Sequence, residues 1–404
     1  MRISSGATGI LVGLYLANLA NRGSHVDAAL VGTIGAVSFG AELIGALPMG
    51  MASDAVAPRA LMTGGAFLGA FATQLFGFTA QPGIFFLSRG IEGTGAAATT
   101  PSLLAHLTDE TDGNHVLRAR VMSYFELSLL AGLALGGLTA AQLWRSLGRN
   151  AFTAVAALYI LSAGLLFLGS AGSRSHSSQD VIVGLRRALR DPSLRRLAPV
   201  WLCVNTIVGL WLGPTFIFLL THRPQTHQFL DGILASHPDR VGWILLGYAI
   251  VFGLGVSAWS VVLPRMAEAR ALRIALFAML IVCIGLFLLN HSSREGPVVR
   301  WALVAFSILC VMVESGFTPA ALSLLAGAIG AQPGRGAAMG IYSVLLSIGA
   351  IVGSLLAAVM GQALAVDGLI CSTFAMAIVA LLFVRWIEPG VSGFEESANA
   401  RAAV

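Results

Sequence analysis

The stretch that decides the fold is Arg118–Gly137, RARVMSYFELSLLAGLALGG, because it returns in altered form as Arg335–Ser354, RGAAMGIYSVLLSIGAIVGS. Arg118, Met122, Gly132 and Gly136 have counterparts in Arg335, Met339, Gly349 and Gly353, each displaced by 217 positions. Upstream, Gly50-x3-Asp54-x4-Arg59 reappears as Pro264-x3-Glu268-x4-Arg273, at an offset of 214. Both echoes set polar loop residues beside long apolar segments. A chain whose halves repeat in this way is expected to fold as a duplicated membrane bundle, an architecture that carries solutes between its halves.

Composition agrees with lipid as the solvent. Of 404 residues, 56% are hydrophobic and 11% charged, against about a quarter charged in soluble domains. The 47 glycines suit close helix contacts. The net charge of +5 comes from arginine alone, with no lysine. Most arginines fall in short loops, so the charge reports membrane topology and not nucleic-acid binding. Cys203, Cys283, Cys310 and Cys371 each lie in an apolar stretch and are expected to be buried free thiols, without a disulfide framework or metal spacing. Gly6–Ala20 ends in Asn21-Arg22 without a small-x-small cleavage site, and reads as a first span, not a signal peptide.

A bilayer core takes ~20 apolar residues per helix. Twelve such stretches run from Gly6–Ala20 to Leu369–Ile387. The expected organisation is an N-terminal six-helix bundle over 1–172, a cytoplasmic linker over 173–196, a C-terminal six-helix bundle over 197–387, and a cytoplasmic tail over 388–404. Six arginines of the linker alternate with Val181, Ile182, Val183 and Leu185, as an amphipathic helix on the membrane surface would. The tenth stretch, Val298–Ile329, is overlong and is expected to break near Thr318-Pro319, and Gly213-Pro214 offers a kink in the seventh. With both termini placed in the cytoplasm, sixteen of the 24 arginines lie inside and seven outside, leaving Arg89 within a span. The expected location is therefore an inner (plasma) membrane. The loop from His222 to Arg240 holds His222, His227 and His237, whose spacing fits no tight metal site, and it reads as solvated.

Three motifs resemble those of the major facilitator superfamily, and the likeness covers essentially the whole chain. Gly50–Arg59, GMASDAVAPR, is similar to the family's Gly-x-x-x-Asp-x-x-Gly-Arg-Arg/Lys loop, with Ala57 for the inner Gly and Pro58 for the first Arg. Arg89–Ala97, RGIEGTGAA, is similar to Arg-x-x-Gln-Gly-x-Gly-Ala-Ala, with Glu92 for Gln. Ser128-x3-Gly132-Leu133-x2-Gly136-Gly137 is similar to the antiporter pattern Gly-x3-Gly-Pro-x-x-Gly-Gly, with Leu133 for Pro. The resemblance implies an all-α membrane protein with twelve transmembrane helices in two pseudo-symmetric six-helix bundles, of drug/proton antiporter type. It implies a conformational latch from Gly50, Asp54 and Arg59, with Asp54 facing the positive N-terminal end of helix eleven near Gly336. It also ties Arg89 to proton coupling.

Arg89 lies seven residues past Pro82, about 10 Å into the helix at 1.5 Å per residue. It can snorkel outward or pair with Glu92 one turn on. Glu42, Glu92, Glu126 and Glu314 are acidic residues inside spans. A charge at mid-membrane costs ~2.5–3.5 kcal/mol on insertion scales, so each is expected to face a wet cavity or a partner. Glu92 and Glu314 are the first candidates for a proton switch and Glu126 the second. Glu42 stands between that role and packing of helix two on helix eleven. Tyr15, Asn18, Asn205 and Trp211 are candidates for the substrate cavity, or for helix–helix hydrogen bonds.

The expected function is a proton-coupled exporter of a small amphiphilic or hydrophobic molecule, working by alternating access. The alternative is a symporter or facilitator importing a small nutrient. A membrane enzyme acting on lipids would have to use His106, Asp109, Asp112 and His115, and is the least favoured reading. No phosphate-binding loop or His-Glu-x-x-His zinc motif occurs. No cofactor or metal is expected. The expected partners are protons, a small-molecule substrate and the bilayer, with no nucleic acid, for a protein acting as a monomer.

Overall fold

A computed structural model describes residues 1–55, 57–110, 115–169, 192–329 and 335–387. Among these, every regular element is a helix. The first half contains α1 (Arg2–Asn21), α2 (Ala28–Ala55), α3 (Pro58–Phe78), α4 (Pro82–Glu110), α5 (His115–Leu147) and α6 (Ala151–Gly169). The second contains α7 (Pro192–Leu212), α8 (Pro214–Thr221), α9 (Val241–Val262), α10 (Glu268–Asn290), α11 (Pro297–Glu314), α12 (Phe317–Ile329) and α13 (Arg335–Val384). Proline opens α3, α8 and α11 at the first turn, where its missing N–H costs no helical hydrogen bond.

Among the described residues, nine segments are long and apolar enough to cross a membrane by length and composition. Two of these, Ser128–Leu168 and Val344–Val384, are 41 residues long. The first joins α5 to α6. The second spans a break at Ala365 (φ 50°, ψ −130°), after which the chain folds back so that Gly368 meets Met360. The arms 335–364 and 366–384 therefore cross separately. With α4, whose charges lower its apolarity, the described helices make twelve crossings, six in each half. Large apolar side chains such as Phe71, Leu168, Phe277 and Leu309 stand exposed on the outer surface, as lipid-facing residues should.

In the first half α4 packs on α2 and α3, α3 on α6, and α1 on α5. In the second α13 packs on α7, and α10 on α11 and α13. Small residues let the backbones approach. A Cβ on Gly132 would lie 2.5 Å from that of Arg2, and one on Gly349 would lie 2.4 Å from that of Asn205.

Two broken spans differ in how their prolines act. In the seventh crossing Gly213 is extended (φ −75°, ψ 165°) and Pro214 starts α8, as expected from the kink residues. In the tenth the break falls at Ser315-Gly316, ahead of the expected Thr318-Pro319. Pro319 sits in the first turn of α12, where it is tolerated. Gly316 is forced by α9: a Cβ there would lie 2.2 Å from the Trp259 ring, whose Nε1 donates to the Val313 carbonyl at 3.0 Å.

Other expectations are also revised. α7 starts at Pro192, inside the stretch assigned to the linker, whose residues 173–191 lie outside the described ones. The tail 388–404 lies outside them too. Cys203 and Cys283 are buried, whereas Cys310 is half-buried and Cys371 exposed on its helix surface. His106 and Asp109 are part of α4, not of a loop, and Asp112 is outside the described residues.

Candidate functional site

The first half of α4 carries the charged pair. Arg89 and Glu92 form an ion pair through Nη1 and Oε2, one helical turn apart, and are only 5% and 8% exposed. The glycines of the same motif explain how this charged helix stays packed. A Cβ on Gly93 would lie 2.1 Å from the Ser38 carbonyl of α2. One on Gly95 would lie 2.7 Å from the Gly65 carbonyl of α3. Glycine on two faces thus clamps α4 between its neighbours and holds Arg89 and Glu92 at fixed depth.

Four more helices bring polar groups toward this pair. Glu42 of α2 stands beside Gly93, and its electrostatic neighbours are Arg2 of α1 and Glu92. The backbone at Glu42 therefore packs on α4, within its own bundle. Tyr159 of α6, 2% exposed, has Glu92 and Arg89 as electrostatic neighbours and Thr8 and Ser5 of α1 at its hydroxyl. Room for its ring is left by Gly69, where a Cβ would meet it at 2.6 Å. Thr8 in turn shares a hydrogen bond with Thr73 of α3 at 3.0 Å. The result is a polar seam inside the first bundle: two carboxyls, a guanidinium, a phenol and hydroxyls, enclosed by apolar helices. Arg89 Nε, buried, has no hydrogen-bond partner among the described residues. Such a seam can hold a proton on one of several closely spaced groups, because each protonation state leaves the others a partner.

Glu314 does not join it. Glu314 ends α11 at the break of the tenth crossing, half-buried, with Tyr248 of α9 and Cys283 of α10 as electrostatic neighbours. Tyr248 also pairs with Phe252 (centroids 5.8 Å). Glu126 belongs to α5, and its side chain lies outside the described residues, as do those of Gly50 and Asp54 on α2. Arg59 stacks over Phe167 of α6, 3.7 Å from its ring centre.

The four cavity candidates separate. Tyr15 is enclosed by Phe76, Phe85, Trp144 and Phe152, and its hydroxyl donates to the Thr79 carbonyl at 2.5 Å, so it is occupied by core contacts. Asn205 is buried where α7 meets Gly349 and donates to the Trp201 carbonyl at 2.8 Å. Trp211 is half-buried and donates to Thr373 at 2.8 Å, tying α7 to the last crossing. Asn18 is half-buried on α1. Sequence reasoning missed Tyr159 and Tyr248. The signal available was a phenol in the middle of an apolar span.

The two bundles meet closely at the end that carries the 222–240 loop. There Gly13 of α1 abuts Ile217 and Pro214, and Gly32 of α2 abuts Ala358 of α13. Gly137 of α5 meets Leu245 of α9, which in turn places Gly242 against Leu138. The helix-five glycines thus have two jobs: Gly132 and Gly136 seat α1, and Gly137 seats the opposite bundle. In the 222–240 loop His227 and His237 are exposed, as a solvated loop implies, but its base is not. His222 and Asp231 are 4% and 3% exposed, and the Asp231 carboxylate accepts from Gln225 N, Thr226 N and Thr226 Oγ1 at 2.8–3.0 Å. No group of three His, Cys, Asp or Glu side chains able to hold a metal ion is found among the described residues.

Solved membrane transporters share this architecture. A bacterial homologue of the human lysosomal transporter Spinster, in an inward-facing and occupied conformation, superposes with a TM-score of 0.68 at 15% identity, covering 96% of this chain and 95% of that one. The nucleoside transporter NupG superposes with a TM-score of 0.66 at 13% identity, covering 96% and 97%. In sequence, 119 residues are 30% identical to a gentisate transporter of Corynebacterium glutamicum, over 30% of this chain. The matched part spans about a quarter (26%) of that relative's length. The profile of the Major Facilitator Superfamily matches residues 2–294 and, in a second alignment, 227–403. With twelve crossings in two halves and this profile running through nearly all of it, the chain belongs to the Major Facilitator Superfamily of membrane transporters.

Proposed function

We propose that this transporter is a proton-coupled exporter of a small amphiphilic organic molecule, with both termini in the cytoplasm of a plasma membrane. The observation that carries the reading is the enclosed Arg89–Glu92 pair with Glu42 and Tyr159 beside it. Charged groups are expensive inside a membrane, and a chain that keeps Arg89, Glu92 and Glu42 together uses them. Protonation of Glu92 would release Arg89 to Glu42, and loss of the proton would restore the first pair. That is a two-state element which a proton gradient can bias. Export is favoured by the helix-five pattern around Gly132, Gly136 and Gly137, whose glycines seat the moving helices. In this reading the tight contacts near the 222–240 loop are the outer seal, and Glu314 with Tyr248 faces the central cavity from the second bundle. Gly50, Asp54 and Arg59 are the cytoplasmic latch, and one chain is the working unit.

A second reading rests on the gentisate transporter match. Gentisate is an aromatic carboxylate, and Arg89 freed from Glu92 would attract such an anion, giving proton-linked uptake.

The test is flux in proteoliposomes with an imposed pH gradient. Radiolabelled gentisate and the fluorescent amphiphilic cation ethidium serve as probes. Accumulation of ethidium in vesicles made acidic inside, by inverted carriers, supports export. Gentisate uptake driven by an acidic exterior supports the second reading. If neither probe, nor any member of a wider panel of drugs and aromatic acids, moves faster in an imposed gradient, proton coupling is wrong.

A further inference from the structure

We propose that His222 and Asp231 form a second proton-binding site, in the seal between the bundles, and that binding a proton there holds this end of the transporter shut. The argument begins with which atoms can donate. His222 Nδ1 contacts the Arg223 carbonyl oxygen. A carbonyl only accepts, so Nδ1 carries a proton. In neutral imidazole Nε2 is then bare. Yet Nε2 faces Asp231 Oδ1 at 3.3 Å. Two acceptors would oppose one another, on side chains only 4% and 3% exposed. Asp231 Oδ2 is satisfied by Gln225 and Thr226, whereas Oδ1 has no hydrogen-bond donor among the described residues. A proton on Nε2 resolves the conflict by making an imidazolium–carboxylate pair. Histidine is the side chain that changes charge between about pH 5 and 8.

The site is wired to the seal through the backbone on either side of His222. Asn21, at the end of α1 in the other bundle, donates from Nδ2 to the Thr221 carbonyl at 3.3 Å and accepts at Oδ1 from Arg223 N at 2.7 Å. One amide therefore clasps the two peptide groups that flank the histidine. The shape of residues 221–223 that satisfies His222 and Asp231 is the shape that Asn21 grips. A proton bound more tightly by this shape must favour it, and closure must raise proton affinity in return. The sign follows: acid favours the seal, and raising pH loosens it.

Other charged and titratable groups also lie at this end, among them the His291–Asp367 pair (3.5 Å), joined to the 222–240 loop through Asn290. Arg223 follows His222, and Asp27 of α2 lines the same cavity of ≈ 70 Å³ beside His222 and Asp231. From α13 that cavity receives uncharged Gln362. Arg22 and His25 are exposed in the α1–α2 turn. His25 and His291, the latter paired with Asp367, serve as controls.

This inference deepens the transport reading and rests on it only for which compartment supplies the proton. The experiment needs no substrate, so a failure of the proposed transport leaves it testable. Spin labels at Ser24→Cys and Arg294→Cys, in a Cys371→Ser background, report the separation of the two bundles at this end in the full chain reconstituted in lipid nanodiscs. Between pH 5.5 and 8.0 the ratio of short to long distances is expected to fall, by up to about tenfold per pH unit, the limit for one proton. His222→Gln should remove the slope. Asp231→Asn should remove it differently: its amide can donate to a bare Nε2, so the short distance persists at every pH. His25→Gln and His291→Gln should each keep the wild-type slope. A flat wild-type profile, a slope that survives His222→Gln, a seal that still loosens in Asp231→Asn, or a slope lost with His25→Gln or His291→Gln each overturns the proposal.

Discussion

Gly136 and Gly353 make the same contact in the two halves of the chain. Gly136 of α5 lies against the Ile3 carbonyl, Ala7 N and Gly6 of α1, while Gly353 of α13 lies against the Thr206 carbonyl, Leu210 N and Gly209 of α7. The two glycines are 217 positions apart, and each pair of partners is 203 apart. The duplicated letters therefore correspond to duplicated packing, down to the atoms that a methyl group would strike. They also explain the repeat physically: this helix crossing is too close for any side chain.

Gly353→Ala should destabilise more than Gly136→Ala, because the added Cβ would meet the Thr206 carbonyl at 2.1 Å, against 2.6 Å to the Ile3 carbonyl. Overpacking of this kind costs about 1–3 kcal/mol. Gly90→Ala, where no atom lies within 4 Å, should be neutral or gain up to about 1 kcal/mol in helix propensity. Thermal unfolding of purified protein in detergent would rank the three. The order Gly136, Gly353, Gly90 in severity would contradict the packing argument.

Glu92→Gln should abolish flux driven by a pH gradient while leaving substrate exchange across the membrane. It also leaves Arg89 buried without its partner, a loss worth about 3–5 kcal/mol for such pairs. Replacing both residues by Gln should recover much of that stability without recovering proton coupling. Gradient-driven flux in either variant at the wild-type rate would remove Glu92 from the mechanism.

Tyr159→Phe should keep the fold, since the ring still fills the space left by Gly69, but should slow proton-driven flux because the hydroxyl near Thr8 and Glu92 is gone. Tyr159→Ala should cost about 3–5 kcal/mol, as deletion of a buried aromatic ring does. Equal flux in Tyr159→Phe and wild type, measured in the same vesicles, would limit Tyr159 to packing.

Asn21→Ala removes both hydrogen bonds of the clasp across the bundles, each worth about 1 kcal/mol. The separation at the 222–240 end should shift toward long distances at every pH, with the overall melting temperature little changed. An unchanged distance distribution would show that the glycine contacts alone hold the seal.

Much of this was legible in one dimension. The number of crossings follows from apolar length, because a bilayer of fixed thickness is the solvent. The Gly213-Pro214 break and the pairing of Arg89 with Glu92 follow from local spacing along one helix. Reading failed where a neighbour in space decided the outcome. Thr318-Pro319 looked like the break of the tenth crossing, yet the pressure of Trp259 on Gly316 put it at Ser315-Gly316. His222 looked solvated, yet Asp231, Asn21 and the ends of three helices enclose it.

The amino-acid order by itself thus determined that this is a duplicated twelve-helix membrane protein with acids in its spans, since burial in lipid and helical periodicity act on each segment separately. Only the tertiary structure decided that Glu42 and Tyr159 share the Arg89–Glu92 seam while Glu314 does not, and that the bundles close on the His222 turn. Those facts depend on which helix faces meet, and that is set by mutual packing of distant segments, chiefly where glycine lets two backbones approach.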